Sequence, residues 1–341
     1  MKAAKYYSNS DVRIEEVPVP EIGPRELLVK MKFCGICSSD ALEWYRKPRA
    51  PMFLGHEATG VVERTGKEVK KVKVGDRVYV HHHVPCHTCY YCLRGSFTMC
   101  PTYKNTHLDP GGFAEYYRAG PLNTEKGVIK LPAEMGFKEG TLIEPISCCI
   151  RGLKRVNMHP GDLIIIVGAG FNGLVHLQLA KLWGAGKVLV LDLLDWKLKK
   201  ARQLGADYTI NPAKDDPLKI VRELNEGRRA DLVIVTAGNV KAVALGLQLV
   251  EKGGTLYIYG PASPENPLSL DISHIFFSEI SIIPSYSSTE TDTHLAFELL
   301  KEGKIKAGDL ITHQFDLKEI NRAFQLVAEA GESLKVLVEN K

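Results

Sequence analysis

Four cysteines lie within fifteen residues: Cys86, Cys89, Cys92 and Cys100, spaced C-x2-C-x2-C-x7-C. Four thiolates at that spacing suit a closed tetrahedral zinc site, and cysteines two residues apart also ligate iron–sulfur clusters. A shell filled by four thiolates leaves no open position, so such a metal stabilises rather than catalyses. His81, His82, His83 and His87 crowd the same stretch. If the strand continues through them, His81 and His83 share a face and His82 points away. They are expected as surface or hydrogen-bonded core imidazoles. A second motif is Val167-Gly168-Ala169-Gly170-Phe171-Asn172-Gly173. It follows an apolar strand and opens a helix, the context in which G-x-G-x-x-G cradles a dinucleotide pyrophosphate on free helix N–H groups. Asp192 follows nineteen residues after Gly173. A carboxylate there binds both ribose hydroxyls and repels a 2′-phosphate, which favours NAD over NADP. Lys197, on the next helix, either reaches the same ribose or stands solvated. A third set is scattered: Cys37, His56, Glu57 and Glu144. One thiolate, one imidazole and one or two carboxylates make a mixed zinc shell with room for water or substrate.

The elements that must position these groups fall into two textures. Residues 1 to about 145 carry short β-like runs broken by Gly and Pro, such as 26–33, 60–63 and 76–80. They predict an antiparallel barrel or sandwich. From about 150, apolar strands at 163–167, 187–191, 231–235 and 254–259 alternate with helices at 174–183, 194–204 and near 240–250. That alternation predicts a parallel sheet covered on both faces. The tail carries helices at 294–300 and 323–328 and a strand at 334–338.

Composition narrows the function. The chain has 341 residues, a net charge of +4, 45% hydrophobic and 25% charged residues. These values fit about two globular domains and argue against long disorder. So small a net charge makes nucleic acid an improbable partner, even with Lys67, Lys70, Lys71 and Lys73 clustered. The N-terminus shows no signal-peptide core and no run is long enough to span a bilayer, so a cytoplasmic protein without membrane contact is expected. Its eight cysteines are then metal ligands or free thiols.

Several motifs occur in one order: Gly35-Ile36-Cys37-x-Ser39-Asp40, Gly55-His56-Glu57, Gly75-Asp76-Arg77-Val78, the four-cysteine loop and the glycine-rich turn. With them the whole chain resembles the zinc-dependent medium-chain dehydrogenase/reductase family, and within it the sorbitol (polyol) and threonine dehydrogenase branch. The resemblance implies an α/β protein: a GroES-like β-barrel catalytic domain at 1–145, a Rossmann NAD-binding domain at 146–287, and a segment at 288–341 returning to the first. It implies two zinc ions per subunit and an active site between the domains. Cys37 and His56 would ligate the catalytic zinc. Glu57 would ligate it or sit beside it, and Glu144 would occupy the third protein-ligand position. Asp40 would orient His56, and Ser39 would bond the substrate oxygen and start a proton relay. Where many relatives carry a histidine this chain has Leu42, so the relay ends on ribose and water or on Glu43. The implied reaction is reversible hydride transfer between NAD and a secondary alcohol, foremost a polyol or sugar. Alternatives are threonine 3-dehydrogenase or simple alcohol dehydrogenase activity, and a non-catalytic NAD-binding protein. A homodimer or homotetramer is implied by a strand near 279–284 that pairs with a second subunit in relatives. Trp44, Tyr45 and Arg46 would line the pocket. Arg46 and Arg49 either grip a carboxylate or phosphate or are solvated loop residues. Cys34, Cys148 and Cys149 are expected as buried thiols without a role.

Overall fold

Strand Leu27–Ile36 is apolar at nearly every position and forms the spine of the first sheet. In the computed structural model, which describes residues 1–341, it pairs with Glu57–Thr65 on one side and Lys335–Glu339 on the other. The main path of this eight-stranded sheet runs Ile311–Asp316, Lys335–Glu339, Leu27–Ile36, Glu57–Thr65, Arg77–Val80, Val128–Lys130. The tail therefore contributes two strands to a sheet begun by the N-terminal residues. Helix Ile320–Glu329 lays Ile320, Ala323 and Phe324 on that sheet. Phe324 meets Tyr6 and Phe113, each with ring centres 5.7 Å away. These contacts bury the apolar face that an isolated sheet would expose to water.

The chain divides into two units. One holds Met1–Ser147, Ser288–Gly303 and Ala307–Lys341; the other holds Cys148–Ser287 and Lys304–Lys306. The second is built on six parallel strands, with Leu163–Val167 and Ala230–Val235 central and Tyr208–Ile210 and Ser281–Pro284 at the edges. Continuous apolar runs such as Leu-Ile-Ile-Ile-Val are what a strand covered on both faces requires. The strand order, 3-2-1-4-5-6, is that of the doubly wound dinucleotide-binding fold, with its crevice at the carboxyl end of the first strand. No helix is long and apolar enough to cross a membrane.

The strand holding Arg77 ends at Val80, so alternation stops before the three histidines. His81 and His82 are both buried, and His83 is half-buried. The expectation of alternating faces is corrected by that early strand end. Helix Glu290–Lys301 starts four residues before the expected 294, because Thr289 and Asp292 form a reciprocal capping box.

Candidate active site and metal centres

The four-cysteine loop closes into a cage. Cys86 and Cys92 sulfurs are 4.0 Å apart, Cys89 and Cys92 3.6 Å, Cys86 and Cys100 3.6 Å. Bonds of about 2.3 Å to a tetrahedral zinc would place sulfurs about 3.8 Å apart. A multi-iron cluster would insert iron and sulfide between the thiolates and spread them beyond this contact. The cage fits zinc. Short helices Tyr90–Leu93 and Pro101–Asn105 supply Cys92 and the turn after Cys100, and Tyr103 packs against both cysteines. The Thr88 hydroxyl and backbone N–H draw the Cys86 thiol down to about 5. His87, at φ +61°, reaches from this loop to Glu290 at 2.6 Å.

The scattered ligand set converges. Cys37 follows the end of strand Leu27–Ile36, and Glu57 begins the strand beside it. Ligating atoms of Cys37, His56 and Glu57 all lie within 4.8 Å of one another. Burial alone would lower the His56 pKa. The Asp40 carboxylate, the Cys37 thiolate and Glu144 overcome it and raise His56 to about 10. A thiol, an imidazole and a carboxylate whose ligating atoms meet this closely are a donor set that fits zinc.

The two glutamates differ in their surroundings. Glu57 is fully buried, and both its oxygens accept from the Lys335 ammonium, at 2.7 and 2.8 Å. A Cβ at Gly35 would stand 1.9 Å from Glu57 Oε2, so only glycine allows the carboxylate to lie there. Burial lowers the Lys335 pKa, but Glu57, Cys37 and Glu144 outweigh it and raise it. Glu144 is buried in the first turn of helix Ile143–Leu153 and acts on both His56 and Lys335.

Asp40 is fully buried. Its Oδ1 accepts from Arg46 Nη2 at 3.0 Å and lies 3.6 Å from His56 Nδ1, an ion-pair contact beyond hydrogen-bond range. Ser39 donates its hydroxyl to Cys37 Sγ at 3.2 Å, and Arg46 Nη2 stands 3.4 Å from the same oxygen. Glu43 accepts from the Asn9 backbone N–H. The His82 ring centre is 4.8 Å from that of His56 and 4.1 Å from that of His83. His82 Nδ1 and His81 Nε2 are buried without hydrogen-bond partners. His82 thus departs from the expectation of a hydrogen-bonded core imidazole, whereas His81 Nδ1 meets the Tyr79 hydroxyl at 3.1 Å and His83 Nδ1 bonds Thr106 O, as expected of core imidazoles. Cys34 and Cys149 are fully buried thiols, and Cys148 is partly exposed.

The glycine-rich turn has its own logic. A Cβ on Gly173 would meet Gly168 O at 1.8 Å, so the helix starting at Phe171 rests directly on the strand end. A Cβ on Gly170 would meet nothing within 4 Å, and no side chain caps this helix. Open space before free N–H groups is the cradle a pyrophosphate fills. Phe171 is buried and Asn172 half-buried, its carbonyl bonded to His176 Nδ1 at 2.8 Å. Asp192 accepts from Ala169 N at 2.7 Å and Leu194 N at 2.9 Å, which fixes the carboxylate beside the turn. Lys197 is buried rather than solvated, its amine lowered by burial and partly restored by Asp192.

Three groups escaped the sequence reading. Lys335 is one lysine in an apolar strand, 278 residues from Glu57; its only signal is a charge at an inward position of the run Leu334–Val338. The Arg46–Asp40 clamp and the unpaired His82 nitrogen carry no periodic signal at all.

Two family models match the chain: the alcohol dehydrogenase GroES-like domain over residues 23–133 and zinc-binding dehydrogenase over 173–302. The sorbitol dehydrogenase of Mus musculus is 34% identical over 96% of this chain and 92% of its own length. That of Bacillus subtilis is 33% identical over 99% and 97%. The crystal structure of 2R,3R-butanediol dehydrogenase from Bacillus subtilis superposes with a TM-score of 0.86 at 26% identity, covering 100% of this chain and 99% of that one.

Proposed function

We propose that this chain, which belongs to the family of zinc-binding alcohol dehydrogenases, oxidises a secondary carbinol of a polyol or sugar to the ketone, reversibly and with NAD. The observation that carries the reading is the convergence of Cys37, His56 and Glu57 into one partly buried cluster of metal-ligating groups beside the Ser39 hydroxyl. The similarity to sorbitol dehydrogenases over nearly the whole chain supports the polyol class.

Cys37, His56 and Glu144 would hold the catalytic zinc, with Glu57 beside it. Glu57 lies nearer the other donors and both its oxygens bind Lys335; Glu144 is given the third position by the resemblance to the family. Cys86, Cys89, Cys92 and Cys100 would hold the structural zinc. Gly168, Gly170, Phe171, Asn172 and Gly173 would receive the pyrophosphate, and Asp192 and Lys197 the adenosine ribose. When bound, zinc supplies Lewis-acid polarisation of the carbinol oxygen and NAD supplies the hydride acceptor. Ser39 takes the carbinol proton through its hydroxyl and passes it outward. Asp40 holds His56 in place and is itself held by Arg46. Leu42 stands at the usual end of the relay and Glu43 is turned to Asn9, so beyond Ser39 the proton would leave by the ribose of bound NAD and water rather than by Glu43.

Edge strand Ser281–Pro284 would pair with that of a second copy, giving a dimer or a tetramer. The short helix before it exposes Ile272, Phe276 and Phe277, at 67%, 72% and 83%, an apolar group that a partner would cover. Light scattering checks this; a monomer at assay concentration removes it.

The activity is tested by NADH formation on polyols, sugars, simple secondary alcohols and threonine, with and without a zinc chelator. Chelator-sensitive oxidation of polyols is expected. Oxidation of threonine alone would move the protein to the other branch, and chelator-insensitive turnover would remove the zinc role.

A further inference from the structure

The reaction described above leaves one cluster without a full task. Arg46 is mostly buried, with a side chain 14% exposed. Its Nε donates to Ser39 O at 3.0 Å and its Nη2 to Asp40 Oδ1 at 3.0 Å, while Nη1 makes no hydrogen bond. Arg49 is exposed and has neither a hydrogen-bond nor an ion-pair partner. Both guanidinium groups address one ring: Arg46 lies 4.9 Å and Arg49 4.2 Å from the centre of Tyr45. Two like charges around a single tyrosine repel each other, and the only carboxylate bonded to either, Asp40, is already shared with His56. Arg46 lies beside the group that would meet the substrate hydroxyl. Arg46 Nη2 is 3.4 Å from the Ser39 hydroxyl, and the Arg46 charge helps to depress the buried imidazoles of His82 and His83.

We propose that Arg46 and Arg49 form an anion subsite across Tyr45, and that the preferred substrate is a polyol bearing a carboxylate or phosphate a few carbon atoms from the reacting carbinol. The inference rests on the reading of Ser39 as the partner of the substrate hydroxyl. Arg46 presents the free Nη1 edge while Asp40 and Ser39 fix its plane. Arg49 supplies a second guanidinium over the same Tyr45 ring. Arg49, with its whole guanidinium unbonded, can meet an oxyanion in two parallel bonds, and Arg46 adds Nη1; the two together give orientation and affinity that a neutral hydroxyl cannot match. Carboxylate and phosphate share this chemistry.

The test uses the zinc-loaded full chain with NAD and three matched substrates: sorbitol, gluconate and sorbitol 6-phosphate. At low salt, kcat/KM for one of the two anions is expected to exceed that for sorbitol by about tenfold or more, the value of one charge-assisted hydrogen bond. The favoured anion distinguishes carboxylate from phosphate. Added salt should narrow the gap. R49Q should lower kcat/KM for that anion about tenfold more than for sorbitol, through KM, and R49K should recover part of the loss. R46Q should move kcat for all three as well, since it also frees Asp40. A wild-type preference for sorbitol over both anions, or an equal loss on all three in R49Q, overturns the subsite. If none of the three is oxidised, the dehydrogenase reading on polyols fails separately. Binding of gluconate and of inorganic phosphate to the NADH-loaded protein then decides: about tenfold weaker binding in R49Q supports the subsite, and unchanged binding overturns it.

Discussion

Replacing Lys335 by Met tests how the tail secures the candidate zinc site. The ammonium meets both Glu57 oxygens, at 2.7 and 2.8 Å, with side chains 5% and 0% exposed. At an effective dielectric of about 20, a charge pair at this distance attracts by about 6 kcal/mol. Desolvation of two buried ions offsets most of that, so the intact pair adds little net stability. Breaking it is different. K335M leaves the Glu57 carboxylate packed on Gly35 without its hydrogen-bonded counter-charge, which costs up to about 3–5 kcal/mol, less whatever the neighbouring zinc offsets. For a unit of this size, that corresponds to a fall in melting temperature of roughly 10 °C. The assay is thermal unfolding of zinc-loaded protein, with hydrogen exchange on strand Lys335–Glu339 to assign the loss to its unit. The double variant E57Q/K335M removes both charges and should recover most of the deficit. A K335M protein within about 0.5 kcal/mol of the parent would refute the reasoning, because surface substitutions alone give changes of that size. So would a double variant no more stable than the single one.

Three other expectations follow from the geometry. C92S should reduce bound zinc by one ion per chain and destabilise its unit, since three remaining thiolates leave the cage open; metal analysis with thermal unfolding reads both, and undiminished zinc content contradicts it. D192S should raise the ratio of NADP to NAD kcat/KM about tenfold or more, because the carboxylate beside the glycine-rich turn no longer repels a 2′-phosphate; an unchanged ratio places the ribose elsewhere. His176 is fully buried, and burial lowers its pKa to about 4 against a weaker raising effect of its bond to Asn172 O. The unfolded chain therefore binds this proton first. The stability of the parallel-sheet unit is full above pH 6.5 and falls as pH drops toward 4, by up to about 3 kcal/mol. H176Q should flatten that slope in pH-dependent unfolding, and an unchanged slope would locate it in other groups.

Much of the second unit was legible in the sequence. The all-apolar run 163–167 coincides with strand Leu163–Val167, and 187–191, apolar after its exposed Lys187, with Lys187–Leu191, because the stretch of a strand buried on both faces disfavours polar residues. The cysteine cage was equally legible, since its ligands are local. Long-range closure was not. Glu57 and Lys335 meet only because two sheet strands 278 residues apart flank the same third strand, and neither residue announces a partner. The three histidines misled for a related reason: two-residue alternation holds only while strand pairing lasts, and pairing ends at Val80. For Arg46 the sequence left open a pocket cation or a solvated loop residue, and no spacing rule marks Asp40, six residues back and fully buried, as its partner.

The most direct test of the account is turnover and zinc content in C37A and H56A. The account predicts folded protein that retains the four-cysteine zinc, loses the second ion, binds NAD, and forms no NADH from any polyol. Normal turnover in either variant, or two zinc ions retained with activity intact, would contradict it.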